Sequence, residues 1–168
     1  MICGAPNEVA LCQEIANASL VNCLNLAGRT SLAELAEVIR GASLLVGNDT
    51  SAVHLSAAVG TPAVCILGGG HYGRFMPYTD TILGIIPVAA AKSMHCYHCN
   101  WVCNQPHDLA GPVPCIANVS VQVVLAAVQQ ALTKAAEHTS QLSALALDPT
   151  SPVLTNPLTL SATYDHHL

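Results

Sequence analysis

Short apolar runs alternate along this chain with segments whose apolar residues recur every three or four positions, and glycine-rich or polar turns separate them. The first helical pattern covers Glu8 to Ala18, with Leu11, Cys12, Ile15 and Ala16 on one side. Ile2 to Gly4 before it reads as the end of a strand, and Leu24 to Leu26 after it as another short one. Ser31 opens a second helix. Glu34 stands three residues on, which is a capping box, and Leu32, Leu35, Ala36 and Ile39 follow at i, i+3, i+4 and i+7 up to Gly41. Ala42 to Gly47 is an apolar run of strand length. Thr50 to Val59 is helical and is stopped by Gly60 and Pro62. Ala63 to Leu67 is a buried strand, Gly68-Gly69-Gly70 begins an irregular stretch, and Ile82 to Ile86 is a further strand candidate. Ser120 caps a last helix with Val124, Leu125, Val128 and Leu132 expected inward.

Strands that alternate with helices predict an α/β fold: a Rossmann-like parallel sheet with helices on both faces. One domain is expected over residues 1–137, including an aperiodic cysteine-rich loop at 93–117. Residues 138–168, rich in Ser, Thr, Pro, Leu and His, read as a poorly ordered tail. In parallel sheets, ligands bind where strands end and helices begin, so those loops are where function is expected.

Composition narrows the classes. Hydrophobic residues make up 52% and charged residues 9%, which excludes a disordered chain. Aromatics are only 4%, so Ala, Val, Leu and Ile must build the core. Net charge is −5 with five Lys plus Arg, which leaves no material for the basic face of a nucleic-acid binder. The most apolar stretch, Ala42 to Gly70, is broken by Asn48, Asp49, His54 and Pro62, so no transmembrane segment of about 18 apolar residues is expected. The first residues lack the basic region and apolar core of a secretory signal, and a cytoplasmic address is the expectation.

The loop after the Ala42–Gly47 run reads Gly47-Asn48-Asp49-Thr50-Ser51. Free N–H groups and the dipole at the start of the next helix form an anion site suited to a diphosphate. Thr50 and Ser51 add hydroxyl donors, and His54 lies one turn in. Asp49 suits sugar hydroxyls or helix amides better than phosphate, since two anions repel. An ordinary helix start with an N-cap and a half-buried histidine accounts for the same residues.

Two segments carry a resemblance: Leu26-Ala-Gly-Arg-Thr-Ser-Leu32 and, one helix and one strand later, Asp49-Thr-Ser-Ala-Val-His-Leu-Ser-Ala-Ala-Val-Gly-Thr-Pro62. In order and spacing the chain resembles glycosyltransferase family 9, the ADP-heptose:lipopolysaccharide heptosyltransferases, over roughly residues 1 to 135. The resemblance implies the C-terminal half of a GT-B fold, the half that holds the sugar nucleotide. The acceptor, a glycan or lipid-linked one, and the catalytic base would belong to an N-terminal domain that this chain lacks, so no catalytic residue is assigned and the isolated half is expected to be inactive. Glu8 in Gly4-Ala-Pro-Asn-Glu8 would bind the nucleotide ribose, the Thr30 backbone would meet the base, and Asp49, Thr50, Ser51 and His54 would hold the diphosphate-sugar. An ADP-sugar is the implied donor. The implied reaction is direct displacement at the anomeric carbon, and no Asp-x-Asp motif calls for a divalent cation. The chain departs from the family at Ser51, where many members have Gly, and at Gly68-Gly-Gly-His71, where many read Gly-Pro-Thr. The Gly68–Arg74 loop would line the sugar pocket with Arg74 as its cation, or be a flexible glycine connection.

Eight cysteines remain. Cys3, Cys12, Cys23 and Cys65 sit on strand or helix patterns and read as small core hydrophobes. Cys96-x-x-Cys99-x-x-x-Cys103, followed by Cys115, would suit a tetrahedral structural zinc ion, while reduced buried cysteines or a disulfide pair remain open. Two other functional classes stand beside the transferase. One is a non-catalytic fragment or zinc-stabilised binding module. The other is a dinucleotide enzyme, disfavoured because no Gly-x-Gly-x-x-Gly turn joins a strand to a helix.

Overall fold

A computed structural model describes residues 1–79 and 84–147, without the side chains of residues 142 and 145–147. Its helices are α1 (Val9–Ala18), α2 (Leu32–Arg40), α3 (Ser51–Val59), α4 (Pro114–Ala117) and α5 (Val121–Leu147), and its strands are β1 (Leu45–Asn48), β2 (Ala63–Leu67) and β3 (Val88–Ala91). A 3-10 turn at Pro6–Glu8 leads into α1. The three strands form one parallel sheet in the order β1-β2-β3, with Val46 opposite Val64 and Val64 opposite Val88. Ile2 and Asn25 make an isolated parallel bridge, so the two short strand candidates near the N-terminus do meet each other.

Alternation along β2 divides the core in two. Val64 faces α5 and is buried with Val88, Ala90, Ala127 and Ala131. Cys65 and Leu67 face the other way and are buried with Val53 of α3 and Met76. The sheet is therefore covered on both faces, as a parallel sheet requires. Helix α2 packs on α3, and the Thr61 hydroxyl fastens the two by donating to the Ile39 carbonyl at 2.8 Å.

Helix boundaries follow local chemistry. Ser31 caps α2 as expected: its side chain accepts from the Glu34 N–H, and the Glu34 carboxylate accepts from the Ser31 N–H at 2.7 Å. Gly60 ends α3 in the left-handed conformation at φ 78°, where a Cβ is strained, and the Thr61 N–H returns to the Ser56 carbonyl.

The structure departs from expectation at one strand and on the faces of two helices. The third strand is Val88–Ala91. Within the expected strand at 82–86, residues 84–86 are not extended into the sheet, and 82–83 lie outside the described residues. In β3, Val88 and Ala90 pack with Ala127 and Ala131 of α5, while Ala89 and Ala91 lie against the Val53 and Met76 cluster on the other face. The buried face of α5 is likewise Ala127 and Ala131, with Val124 and Val128 beside them, while Leu125 and Leu132 are exposed. On α1 only Cys12 is buried, and Leu11 and Ile15 are 56% and 52% exposed. Helix α5 continues through Leu147, so residues 138–147 are helical, and the rest of the expected tail, 148–168, lies outside the described residues.

Candidate functional site

A cleft of about 820 Å³ runs along the whole of β1 and reaches past its carboxyl end to the start of α3, within the usual volume range for a bound small molecule. Glu8, Thr30, Thr50 and Ser51 all line it, with Asn48 and Gly4 between them. Two turns far apart in sequence build one wall. The Gly28 N–H donates to the Gly4 carbonyl at 2.9 Å, and Gly28, at φ 68°, sits so close to Pro6 that a Cβ there would lie 3.0 Å from the Pro6 Cα. Only glycine combines that conformation with that approach. The contact brings Glu8 and Thr30 to the same side of the cleft.

Glu8 is partly committed. Its Oε2 accepts from the Ala5 N–H at 2.6 Å and closes the turn that starts the 3-10 segment.

The opposite wall is the start of α3. Thr50 is the N-cap residue in extended backbone, and no side chain caps the helix. Thr50 and Ser51 are exposed and line the cleft, and the Val53 N–H donates to the Thr50 carbonyl at 3.1 Å. Asp49 and His54 do not line the cleft. They form a pair behind its edge, with Asp49 Oδ1 3.8 Å from His54 Nε2. The second ring nitrogen, Nδ1, lies 2.5 Å from the Tyr78 hydroxyl, and the two rings are 5.7 Å apart. Burial, and then the Asp49 and Cys65 charges, push the Tyr78 phenol above its ordinary range, so it stays protonated at neutral pH. Cys65, beneath, is pushed up to about 12 by burial and then by Asp49. Sequence reasoning missed Tyr78. It lies 24 residues from His54, in a stretch with no periodicity, and nothing local marks it.

No residue of the Gly68–Arg74 loop lines the cleft along β1, and its three consecutive glycines are packed rather than open. Gly68, Gly69 and Gly70 are buried. A Cβ on Gly68 would lie 2.6 Å from the Trp101 ring, and one on Gly69 would lie 2.5 Å from Tyr97 Cε1. The His98 and Asn100 N–H groups donate to the Gly69 and Gly70 carbonyls at 2.8 and 3.0 Å. The glycines admit the cysteine-rich loop. Arg74 is exposed and rests on the Phe75 ring, 5.2 Å from its centre.

Cys96, Cys99, Cys103 and Cys115 converge on one small cavity of about 10 Å³ beneath Tyr97 and Trp101. The Gly69 N–H donates to Cys115 Sγ at 3.4 Å. All four thiols are free of disulfides. Among the described residues, no three His, Cys, Asp or Glu side chains are grouped so as to hold a metal ion. None of the described helices is long and apolar enough to cross a membrane.

Comparison with known proteins identifies a family. Residues 1–100 match glycosyltransferase family 9 (heptosyltransferase). The chain is 32% identical over 85 residues to lipopolysaccharide heptosyltransferase 3 of Escherichia coli (strain K12), covering 49% of this chain and 25% of that protein. It is 39% identical over 66 residues to lipooligosaccharide heptosyltransferase 2 of Haemophilus influenzae, covering 38% of this chain and 19% of that one. It therefore spans a quarter or less of the length of these relatives. A crystal structure of a family 9 glycosyl transferase from Veillonella parvula superposes with a TM-score of 0.56 over 79% of this chain and 36% of that one, at 19% identity, which supports the fold. With a family match over more than half its length, an uncapped helix start beside Asp49 and a cleft along β1, this chain belongs to glycosyltransferase family 9.

Proposed function

We propose that this chain is the donor-binding part of a family 9 glycosyltransferase, that its cleft holds an ADP-sugar, and that the acceptor and catalytic base are supplied by a partner domain of the GT-B type. The observation that carries the reading is the convergence of Glu8, Thr30, Thr50 and Ser51, taken from three separate segments, on one cleft along β1. The diphosphate would lie against the first turn of α3. There the uncapped amides, the helix dipole and the two hydroxyls stabilise the charge that develops as the nucleoside diphosphate leaves. Glu8 would accept from the ribose. The Cβ of Ser51 keeps the phosphate slightly farther from the backbone than a glycine would. Lipopolysaccharide or a related glycan is the proposed product class, and the cytoplasm the proposed compartment.

Calorimetric titration with ADP and with an ADP-sugar tests this. Binding by the folded wild type, weakened by Asp49→Ala with Thr50→Val, is expected. The Thr50 side chain makes no cap bond, so its replacement leaves the start of α3 in place. No binding by a folded wild type would overturn the reading. Transfer needs donor and acceptor together in a water-poor cleft. The isolated chain is therefore expected to show no transfer from ADP-heptose until an acceptor domain is added, and robust turnover by the chain alone would refute that division of labour.

We also propose a structural zinc ion at Cys96, Cys99, Cys103 and Cys115. Its support is that four thiols from two segments line one cavity too small for much more than a single water. Ligation requires the side chains to rotate inward toward about 2.3 Å sulfur–metal distances. Elemental analysis of reduced protein should find about one zinc per chain. No metal, with four freely titratable thiols in the folded state, would remove the proposal.

A further inference from the structure

His54 is held from both sides, and its two partners differ in kind. Nδ1 faces the Tyr78 hydroxyl at 2.5 Å, while Nε2 faces Asp49 Oδ1 at 3.8 Å. A neutral imidazole carries its hydrogen on one nitrogen only. With the hydrogen on Nδ1, the bare lone pair of Nε2 would point at the Asp49 carboxylate, and the two would repel. With the hydrogen on Nε2, the positive N–H faces the carboxylate and the Nδ1 lone pair accepts from the phenol. The second arrangement keeps the phenol hydrogen bond and turns a favourable charge toward Asp49, while the first keeps the hydrogen bond and sets two electron-rich atoms against each other. At 3.8 Å the Asp49 oxygen orients the Nε2–H but is too far to bond it. The hydrogen therefore stays available to an oxygen arriving at the start of α3.

Tyr78 itself is well anchored. It packs against the cluster of Val53, Cys65, Leu67 and Met76. Met76, two residues earlier, is fully buried, and its carbonyl accepts from the Gly73 N–H at 2.7 Å. The phenol is thus fixed by the core, and it in turn fixes a ring on the first turn of α3.

We infer that Tyr78 is a positioning residue that holds His54 as the Nε2–H tautomer, so that the half-exposed imidazole presents a directed donor beside the start of α3, to the part of a bound sugar nucleotide that extends past the edge of the cleft. This rests on the proposed donor-binding reading for the identity of that ligand, but the tautomer itself does not.

The test therefore has two independent arms, both on the full chain. Nitrogen-15 long-range correlation spectra at about pH 8.5, above the usual histidine range, should show His54 as a single Nε2–H tautomer, and Tyr78→Phe should turn it into a mixture. An Nδ1–H tautomer, or a spectrum untouched by Tyr78→Phe, would overturn the inference. The second arm is a double-mutant cycle read by ADP titration. Tyr78→Phe, which keeps the ring and its packing, should weaken binding about three- to tenfold, the scale of one hydrogen bond. In a His54→Ala background it should weaken binding no further. Fully additive losses would make Tyr78 merely structural. A wild type that binds no ADP yet shows the single tautomer overturns the donor-binding reading while upholding the role of Tyr78.

Discussion

The loops after β1 and after β2 leave adjacent strands of one parallel sheet, and both are rich in glycine or small polar residues. They have opposite fates. The loop after β1 stays open: Thr50 and Ser51 are exposed, α3 begins without a side-chain cap, and the space beside them is a cleft of about 820 Å³. The loop after β2 is filled. Trp101 and Tyr97 lie on Gly68, Gly69 and Gly70, backbone hydrogen bonds from His98 and Asn100 seal the contact, and only about 10 Å³ remains among the cysteines. Glycine thus has two uses at the carboxyl edge of a sheet. It can let a ligand approach the backbone, or it can let another part of the chain do so. Only the second neighbour, the aromatic pair, tells the two apart.

The cysteine-rich loop that fills the space after β2 stores strain. His98, Asn100 and Trp101 all have positive φ, at 68°, 55° and 65°. Conformations of this kind cost of order 1–3 kcal/mol each and persist only where the surroundings over-determine them. Here the surroundings are the glycine loop beneath and a second set of side-chain bonds. The Trp101 indole N–H donates to His71 Nδ1 at 3.2 Å, which leaves His71 Nε2 to donate to the Asn100 side chain at 2.5 Å.

The sharpest way to break this contrast is the same substitution in both loops. Gly69→Ala should destabilise the fold by about 1–3 kcal/mol, because its Cβ overlaps the Tyr97 ring and something must shift. A clear drop in the thermal midpoint is expected, and an unchanged midpoint would mean that Tyr97 does not sit on that loop. Ser31→Ala, on the open side, removes a local capping box and should cost about 1 kcal/mol in denaturant unfolding. Gly47→Ala, at the end of β1, should fall within about 1 kcal/mol of wild type, in the stabilising direction. Its Cβ would meet nothing nearer than 3.9 Å, and alanine restricts the unfolded chain. A large loss there would show the open loop to be as tightly packed as the filled one.

Cys65 joins the two regions from beneath, and its effect is nil at neutral pH. Its thiol is pushed up to about 12 in the folded state from an ordinary value of 9.0. Below that ordinary value both states hold the proton, so pH has no leverage through this group. Above it the unfolded chain loses the proton first, and stability falls as pH rises through the folded value. Denaturant midpoints should therefore drop on the alkaline side, and Cys65→Ala should flatten that slope at some cost in packing.

The sequence by itself determined what depends on neighbours along the chain. The capping box of Ser31 and Glu34, the stop at Gly60 and the turn at Asp49–Ser51 involve contacts within a few residues, and the unbroken apolar run Ala63–Leu67 marks a buried strand whatever its partners, so all are readable locally. The paired segments at Leu26–Leu32 and Asp49–Pro62 carried the family for the same reason. Tertiary structure alone decided the rest. It brought Tyr78 to His54 across 24 residues and closed Trp101 over Gly68 and Gly70. It also chose the small alanines of β3 over the heavier isoleucines before it, and Ala127 and Ala131 over Leu125 and Leu132. In each case the deciding quantity was the distance between two surfaces. Local periodicity records which residues are apolar, but not how close the opposing helix or loop will come.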